Sequence, residues 1–100
     1  MEWEKGLSAY VGRKVEIWIE DHSGEEQTKP KPYPPLFRVK LAEDGKFITF
    51  YLKPTQFLSV PIFDGSATKL ENTCARHHFV SHDIEGKLTY WIYFEDIPAA

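Results

Sequence analysis

The chain has one cysteine, Cys74, so no disulfide can form within it. No apolar run approaches the roughly 20 residues that a membrane-spanning helix needs. The first residues lack the apolar core of a secretion signal. Together these absences predict a reducing, cytoplasmic setting and no membrane partner. An excess of basic charge is also missing. Lys and Arg number 12 against 15 Asp and Glu, a net charge of −3. Bulk attraction to nucleic acid is thereby disfavoured, although a local basic patch is not. No internal repeat, glycine-rich phosphate loop or pair of carboxylates set for acid–base work stands out, and no cofactor is implied. One hundred residues make a single domain, 1–100, with room for one core.

Aromatic side chains are plentiful, at 15%, and with Val, Ile and Thr they fill the apolar runs, which favours strands over helices. The clearest unit is residues 37–53, FRVKLAEDGKFITFYLK. Asp44-Gly45 between two alternating runs predicts a hairpin closed by a two-residue type I′ turn. Leu41 then faces Ile48, Val39 faces Phe50 and Phe37 faces Leu52, and these six apolar residues form one face. Arg38, Lys40, Phe47, Thr49, Tyr51 and Lys53 form the other. A one-residue slip would carry one strand's apolar set to the wrong side, so the pattern selects this register.

Before this hairpin, Trp3, Leu7 and Tyr10 are spaced for one or two helical turns. Residues 14–21 alternate, with Val15, Ile17 and Ile19 on one side and Glu16, Trp18 and Glu20 on the other. Residues 22–35 form a proline-rich loop, in which Pro32-Tyr33-Pro34-Pro35 satisfies P-x-x-P and offers a docking segment as an alternative to a simple flexible insertion. After the hairpin, residues 57–63 read as an edge or bulged strand because of Pro61. Residues 67–76 show no period, leaving a short helix or an irregular crossing open. Residues 77–95 form a second hairpin. A type I turn with a Gly bulge at Asp83-Ile84-Glu85-Gly86 sets Val80 opposite Tyr90. A Glu85-Gly86 turn exchanges the partners and sets Phe79 beside Leu88 and Ile92. Both registers stay open.

Hairpin-linked strands behind a short helix predict a mainly all-β fold, a small antiparallel SH3-like β-barrel of about five or six strands with a short N-terminal helix. Residues 7–24, LSAYVGRKVEIWIEDHSG, resemble the opening of the Sm-like small barrels: a short helix, a glycine, an alternating strand and an acidic, polar turn. The resemblance implies a strongly bent, SH3-like five-stranded sheet, often ring-forming and RNA-binding. It is carried over for the fold alone, with no binding residue.

Three sets of residues are candidates for function. Trp18, Trp91 and Tyr93, with Tyr33 on the proline-rich loop, are aromatic groups that the alternation turns away from the core, and Trp and Tyr are the usual anchors of interfaces. They predict a non-catalytic module acting through protein contact or self-association. The alternative partner is single-stranded nucleic acid on Arg38, Lys40, Tyr51 and Lys53, with cations on phosphates and rings on bases; the plain reading of this face is a solvated sheet surface. The third set is Cys74, His78 and His82, which have zinc-ligand residue types. Structural zinc commonly needs a fourth ligand and a close Cys pair, and a strand with hydrogen-bonded histidines explains the same residues. Cys74 with His77 or His78, oriented by Asp83, also has nucleophile–base residue types, but no family signature surrounds it. The expectation is therefore no enzyme.

Overall fold

The structure is a computed structural model that describes residues 3–24, 29–63, 65–72 and 77–95. Its elements run α1 (Trp3–Ser8), β1 (Lys14–Asp21), β2 (Lys31–Pro35), β3 (Arg38–Leu41), β4 (Phe47–Lys53), β5 (Gln56–Pro61), a 3-10 turn (Gly65–Ala67), β6 (Thr68–Asn72), β7 (His77–Asp83) and β8 (Leu88–Phe94). Two antiparallel sheets result, one of five strands in the order β2-β1-β8-β7-β6 and one of three in the order β3-β4-β5. The all-β fold with a short leading helix is as expected. The strand number is higher than expected, at eight among the described residues, and the barrel is not closed, because neither sheet's outer strands pair with the other sheet.

Alternation builds both inner faces. Val15 and Ile17 of β1, Phe79 of β7, and Ile92 and Phe94 of β8 face Val39 of β3, Ile48, Phe50 and Leu52 of β4, and Val60 of β5. Leu7 and Tyr10, in and after α1, close the same core. Across it, the Phe50 and Phe79 rings meet at 5.4 Å, and Trp3 sets its edge on Phe79 at 5.6 Å.

The first hairpin keeps the expected register, with Leu41 opposite Ile48 and Val39 opposite Phe50. Its loop differs. Gly45 N–H donates to Ala42 C=O, Ala42 N–H donates to Phe47 C=O, and Gly45 rather than Asp44 takes a positive φ of 72°. This is a four-residue loop, not a type I′ turn. Adding two residues to a hairpin loop preserves which side chains share a face, so the register survives. Phe37 does not join that face. It is 54% exposed, while Leu36 is buried. Leu36 N–H donates to Arg13 C=O and its own C=O accepts from Gly12 N–H, which pins Leu36 inward as the chain passes between the sheets.

Part of the proline-rich segment is a strand. β2 pairs antiparallel with β1 at the sheet edge, with Val15 opposite Tyr33 and Ile17 opposite Lys31. An edge strand needs donors on one side only, so prolines are tolerated there. Residues 25–28 lie outside the described residues. The segment 67–76, left without a period, forms β6 after the last residue of the 3-10 turn, and its residues 73–76 lie outside the described residues.

In the second hairpin Phe79 faces Ile92 and Val80 faces Trp91. The exchanged register is therefore the one adopted, reached through a longer loop, residues 84–87, in place of a two-residue turn. Lys87 takes the left-handed conformation, with φ 56°, and Gly86 does not. A side chain there is disfavoured by about 1–2 kcal/mol. Lys87→Gly is thus expected to raise stability by about 0.5–1 kcal/mol, after allowing for glycine's greater freedom when unfolded. Equal or lower stability in urea would remove that account.

The sheet edges differ in character. β2 carries Pro32, Pro34 and Pro35; β5 ends in Pro61; β6 carries Lys69 and Glu71. At β3, Leu41 N–H donates to the Glu4 carboxylate of α1 at 3.0 Å.

Candidate functional site

Each sheet turns its other face outward, and the two outer faces are chemically opposite. On the five-stranded sheet, β1 and β8 set Trp18 directly opposite Trp91. Their rings stack at 6.2 Å, and Trp91 stacks on Tyr93 at 6.0 Å with ring planes 2° apart. His78 packs against both Trp91 and Tyr93 at 5.7 Å, and His82 sets its edge to Trp91 at 6.1 Å. Val80, on the same face, is buried beneath this layer. Trp18, Trp91 and Tyr93 are each half-buried, so part of every ring meets solvent.

Carboxylates frame the rings. Glu20 accepts the Trp91 indole N–H. Glu71 pairs with Lys69 at 2.8 Å and with His78 at 3.1 Å. The hydrogen bond from Lys69, with the charges of Lys69 and His78, holds the Glu71 carboxyl below its ordinary pKa although desolvation opposes it. That contribution is present above the ordinary glutamate value and is lost as pH falls through the depressed one. Glu16 lies beside Tyr93 across the strands, and Glu95 follows β8 on the same side, next to Lys14. Four carboxylates (Glu16, Glu20, Glu71, Glu95) thus share this side with two lysines (Lys14, Lys69).

The three-stranded sheet carries the opposite sign. Arg38, Tyr51 and Phe57 form one cross-strand row, and Lys40, Thr49 and Ser59 the next. Thr49 and Ser59 share a hydrogen bond at 2.8 Å, and the Tyr51 and Phe57 rings touch at 5.5 Å. Phe57 is 59% exposed and Phe47 45% exposed. Lys53 completes the set. No Asp or Glu occupies an outward position on these three strands.

The structure thus brings Trp18, Trp91 and Tyr93 together, and brings Arg38, Lys40, Tyr51 and Lys53 together on the opposite side. Tyr33 stands apart from the tryptophans; it packs against the core from β2. Pro32-Tyr33-Pro34-Pro35 is engaged in the sheet edge. Cys74 lies outside the described residues, and with it the thiol site. His78 and His82 flank Trp91, and among the described residues no three His, Cys, Asp or Glu side chains are grouped to hold a metal ion. His77 belongs to the inner face, where its Nδ1 shares a hydrogen bond with the Tyr10 hydroxyl at 2.6 Å. Asp83 accepts the Gly86 N–H in the turn.

Two features escaped the sequence reading. Phe57 extends the basic face, and the inward Leu58 and Val60 would have signalled it. Thr89 Oγ1 is shared by His22 Nε2 at 2.8 Å and His82 Nδ1 at 3.1 Å, beside a shallow groove of about 520 Å³ that Asp83, Lys87 and Leu88 also line. That contact joins residues distant in sequence. Among the described residues no helix is long and apolar enough to cross a membrane. Comparison with protein-family models, curated proteins and solved structures finds no match for this chain.

Proposed function

We propose that this protein is a non-catalytic binding module that works through protein contact or self-association, with the aromatic outer face of the five-stranded sheet as its contact surface. One observation carries the reading: Trp18, Trp91 and Tyr93 lie side by side on the solvent side of a sheet whose other side already forms the core. Two tryptophans and a tyrosine, half-exposed and mutually braced, lose little side-chain entropy when covered. The Trp91 indole is fixed by Glu20, so its free edge is presented in one orientation.

The test is sedimentation velocity on the chain and on a Trp91→Ala/Tyr93→Ala variant. The variant is expected to keep its far-ultraviolet dichroism and to lose reversible association. Should it unfold, the rings belong to the fold's own packing and the reading loses its basis.

A second reading has its own observation. The acid-free face bearing Arg38, Lys40, Tyr51 and Lys53 has the composition of a single-strand nucleic-acid platform. Three cations neutralise few phosphates, so affinity on this reading is modest and falls with salt at a log–log slope of only about −2.

A further inference from the structure

The two outer faces match each other in charge and in ring chemistry. One presents Arg38, Lys40 and Lys53 among Tyr51, Phe47 and Phe57 without a carboxylate. The other presents Glu16, Glu20 and Glu71 around Trp18, Trp91 and Tyr93. Cations on the first face would meet carboxylates on the second. They would also meet the flat sides of indole rings, which attract guanidinium and ammonium groups.

We infer that the partner of the aromatic face is a second copy of this chain, docked through the basic outer face of its three-stranded sheet. The inference rests on the protein-contact reading above and names the occupant of that site. The net charge of −3 hides this match, because the acid-free face collects Arg38, Lys40 and Lys53 while on the other side Glu16, Glu20, Glu71 and Glu95 outnumber Lys14 and Lys69. Those sides point away from one another, since both inner faces are spent on the core, where Phe50 meets Phe79. A contact between unlike patches is heterologous, and with the patches on opposite sides it adds copies in a line rather than closing a ring.

Size sets the strength. Three strands at about 4.8 Å spacing and four to seven residues long give a footprint of roughly 15 by 20 Å. That is below the size of stable specific interfaces, so the association is weak and transient and requires at least on the order of tens of micromolar protein. Much of it is charge-driven at exposed groups, so it weakens as the Debye length shrinks from about 14 Å near 0.05 M salt to about 4 Å near 0.5 M.

The experiment uses two full-length variants, Arg38→Glu/Lys40→Glu and Glu16→Lys/Glu20→Lys. Glu20 braces Trp91, so a milder Glu16→Gln/Glu20→Gln variant accompanies the second, and thermal melting confirms that each folds. In sedimentation velocity the wild-type mean mass is expected to rise with concentration without a plateau and to fall with salt. Each reversal alone is expected to weaken association by about tenfold or more. In an equimolar mixture of the two reversals one native pair of faces survives and the two reversed faces are again opposite in charge, so association is expected to recover above that of either variant alone. Three results would each overturn the inference. Association untouched by Arg38→Glu/Lys40→Glu excludes the basic face, yet leaves the aromatic-face reading standing if Trp91→Ala/Tyr93→Ala still abolishes association. A wild type that stays monomeric removes self-docking and leaves a foreign protein partner for the aromatic face. A fluorescent oligo(dT) that binds at low salt, loses affinity in Arg38→Glu/Lys40→Glu and disperses the oligomer assigns the basic face to nucleic acid.

Discussion

Replacing Phe79 by alanine is expected to lower the unfolding free energy by about 3–5 kcal/mol, a large share of the roughly 5–15 kcal/mol available to a domain of this size. Phe79 is fully buried on β7, and its ring contacts both Phe50, across the sheets, and Trp3, from the helix. Removing it opens a cavity at the junction of all three layers and also ends two oriented ring contacts, each worth about 0.5–1.5 kcal/mol beyond burial. Phe79→Leu keeps most of the volume and is expected to cost about 1.5 kcal/mol or slightly more. Phe57→Ala, on the outer face, is expected to stay within about 0.5 kcal/mol of the wild type. Urea unfolding of the three variants provides the measurement. A loss below about 1 kcal/mol for Phe79→Ala would show that the sheets are not held together at this contact.

The second large effect is expected at Ser81, fully buried and two residues beyond Phe79 on the same side of β7. Its hydroxyl donates to Pro61 C=O at 2.6 Å. A serine hydroxyl has one proton, so the 2.8 Å contact with Thr68 Oγ1 must run from Thr68 to Ser81. Thr68 in turn accepts the Phe63 N–H at 2.8 Å. The relay therefore has one sense, from Phe63 through Thr68 and Ser81 to Pro61, and it ties the end of the three-stranded sheet to the five-stranded one. Ser81→Ala leaves the Pro61 carbonyl without its donor and the Thr68 hydroxyl proton without its acceptor, at about 2–4 kcal/mol, because each stranded group costs about 1–3 kcal/mol. Thr68→Val is expected to cost about 1–3 kcal/mol. The double variant should lose at least about 1 kcal/mol less than the sum, since the Ser81–Thr68 bond can be broken only once. Additive losses would show that the two hydroxyls do not act as one relay.

How much of this was legible depended on the distance along the chain over which each contact is decided. The register of the first hairpin was readable because alternation and loop parity are both local. The loop itself was misread because two- and four-residue loops give the same facing residues. Phe37 was placed inward because alternation alone knows nothing of Gly12 and Arg13, whose backbones clamp Leu36 instead. The proline-rich segment was taken for a loop because proline weakens strands in general, whereas an edge strand with Lys31 and Tyr33 as its donors tolerates it. The basic face was found because Arg38, Lys40, Tyr51 and Lys53 belong to one hairpin. On the aromatic face, the surplus rings on polar positions were visible, but the pairing of Trp18 with Trp91 was not. It arises from β1 lying beside β8, a pairing between the two ends of the chain that no local pattern reports.

The four strand edges bear on how this protein can grow into larger assemblies. A sheet recruits another chain by offering unpaired amides along an edge. Prolines at 32, 34 and 35 leave β2 only the amides of Lys31 and Tyr33, which already serve its pairing with β1, and Pro61 ends β5. The Glu4 carboxylate already occupies the Leu41 amide at the edge of β3, and Lys69 and Glu71 set charge along β6. Each border is thus a poor template for templated, amyloid-like addition. A chain built this way can hold sticky aromatic rings in solvent without its sheets fusing, because its backbone offers newcomers almost nothing to copy.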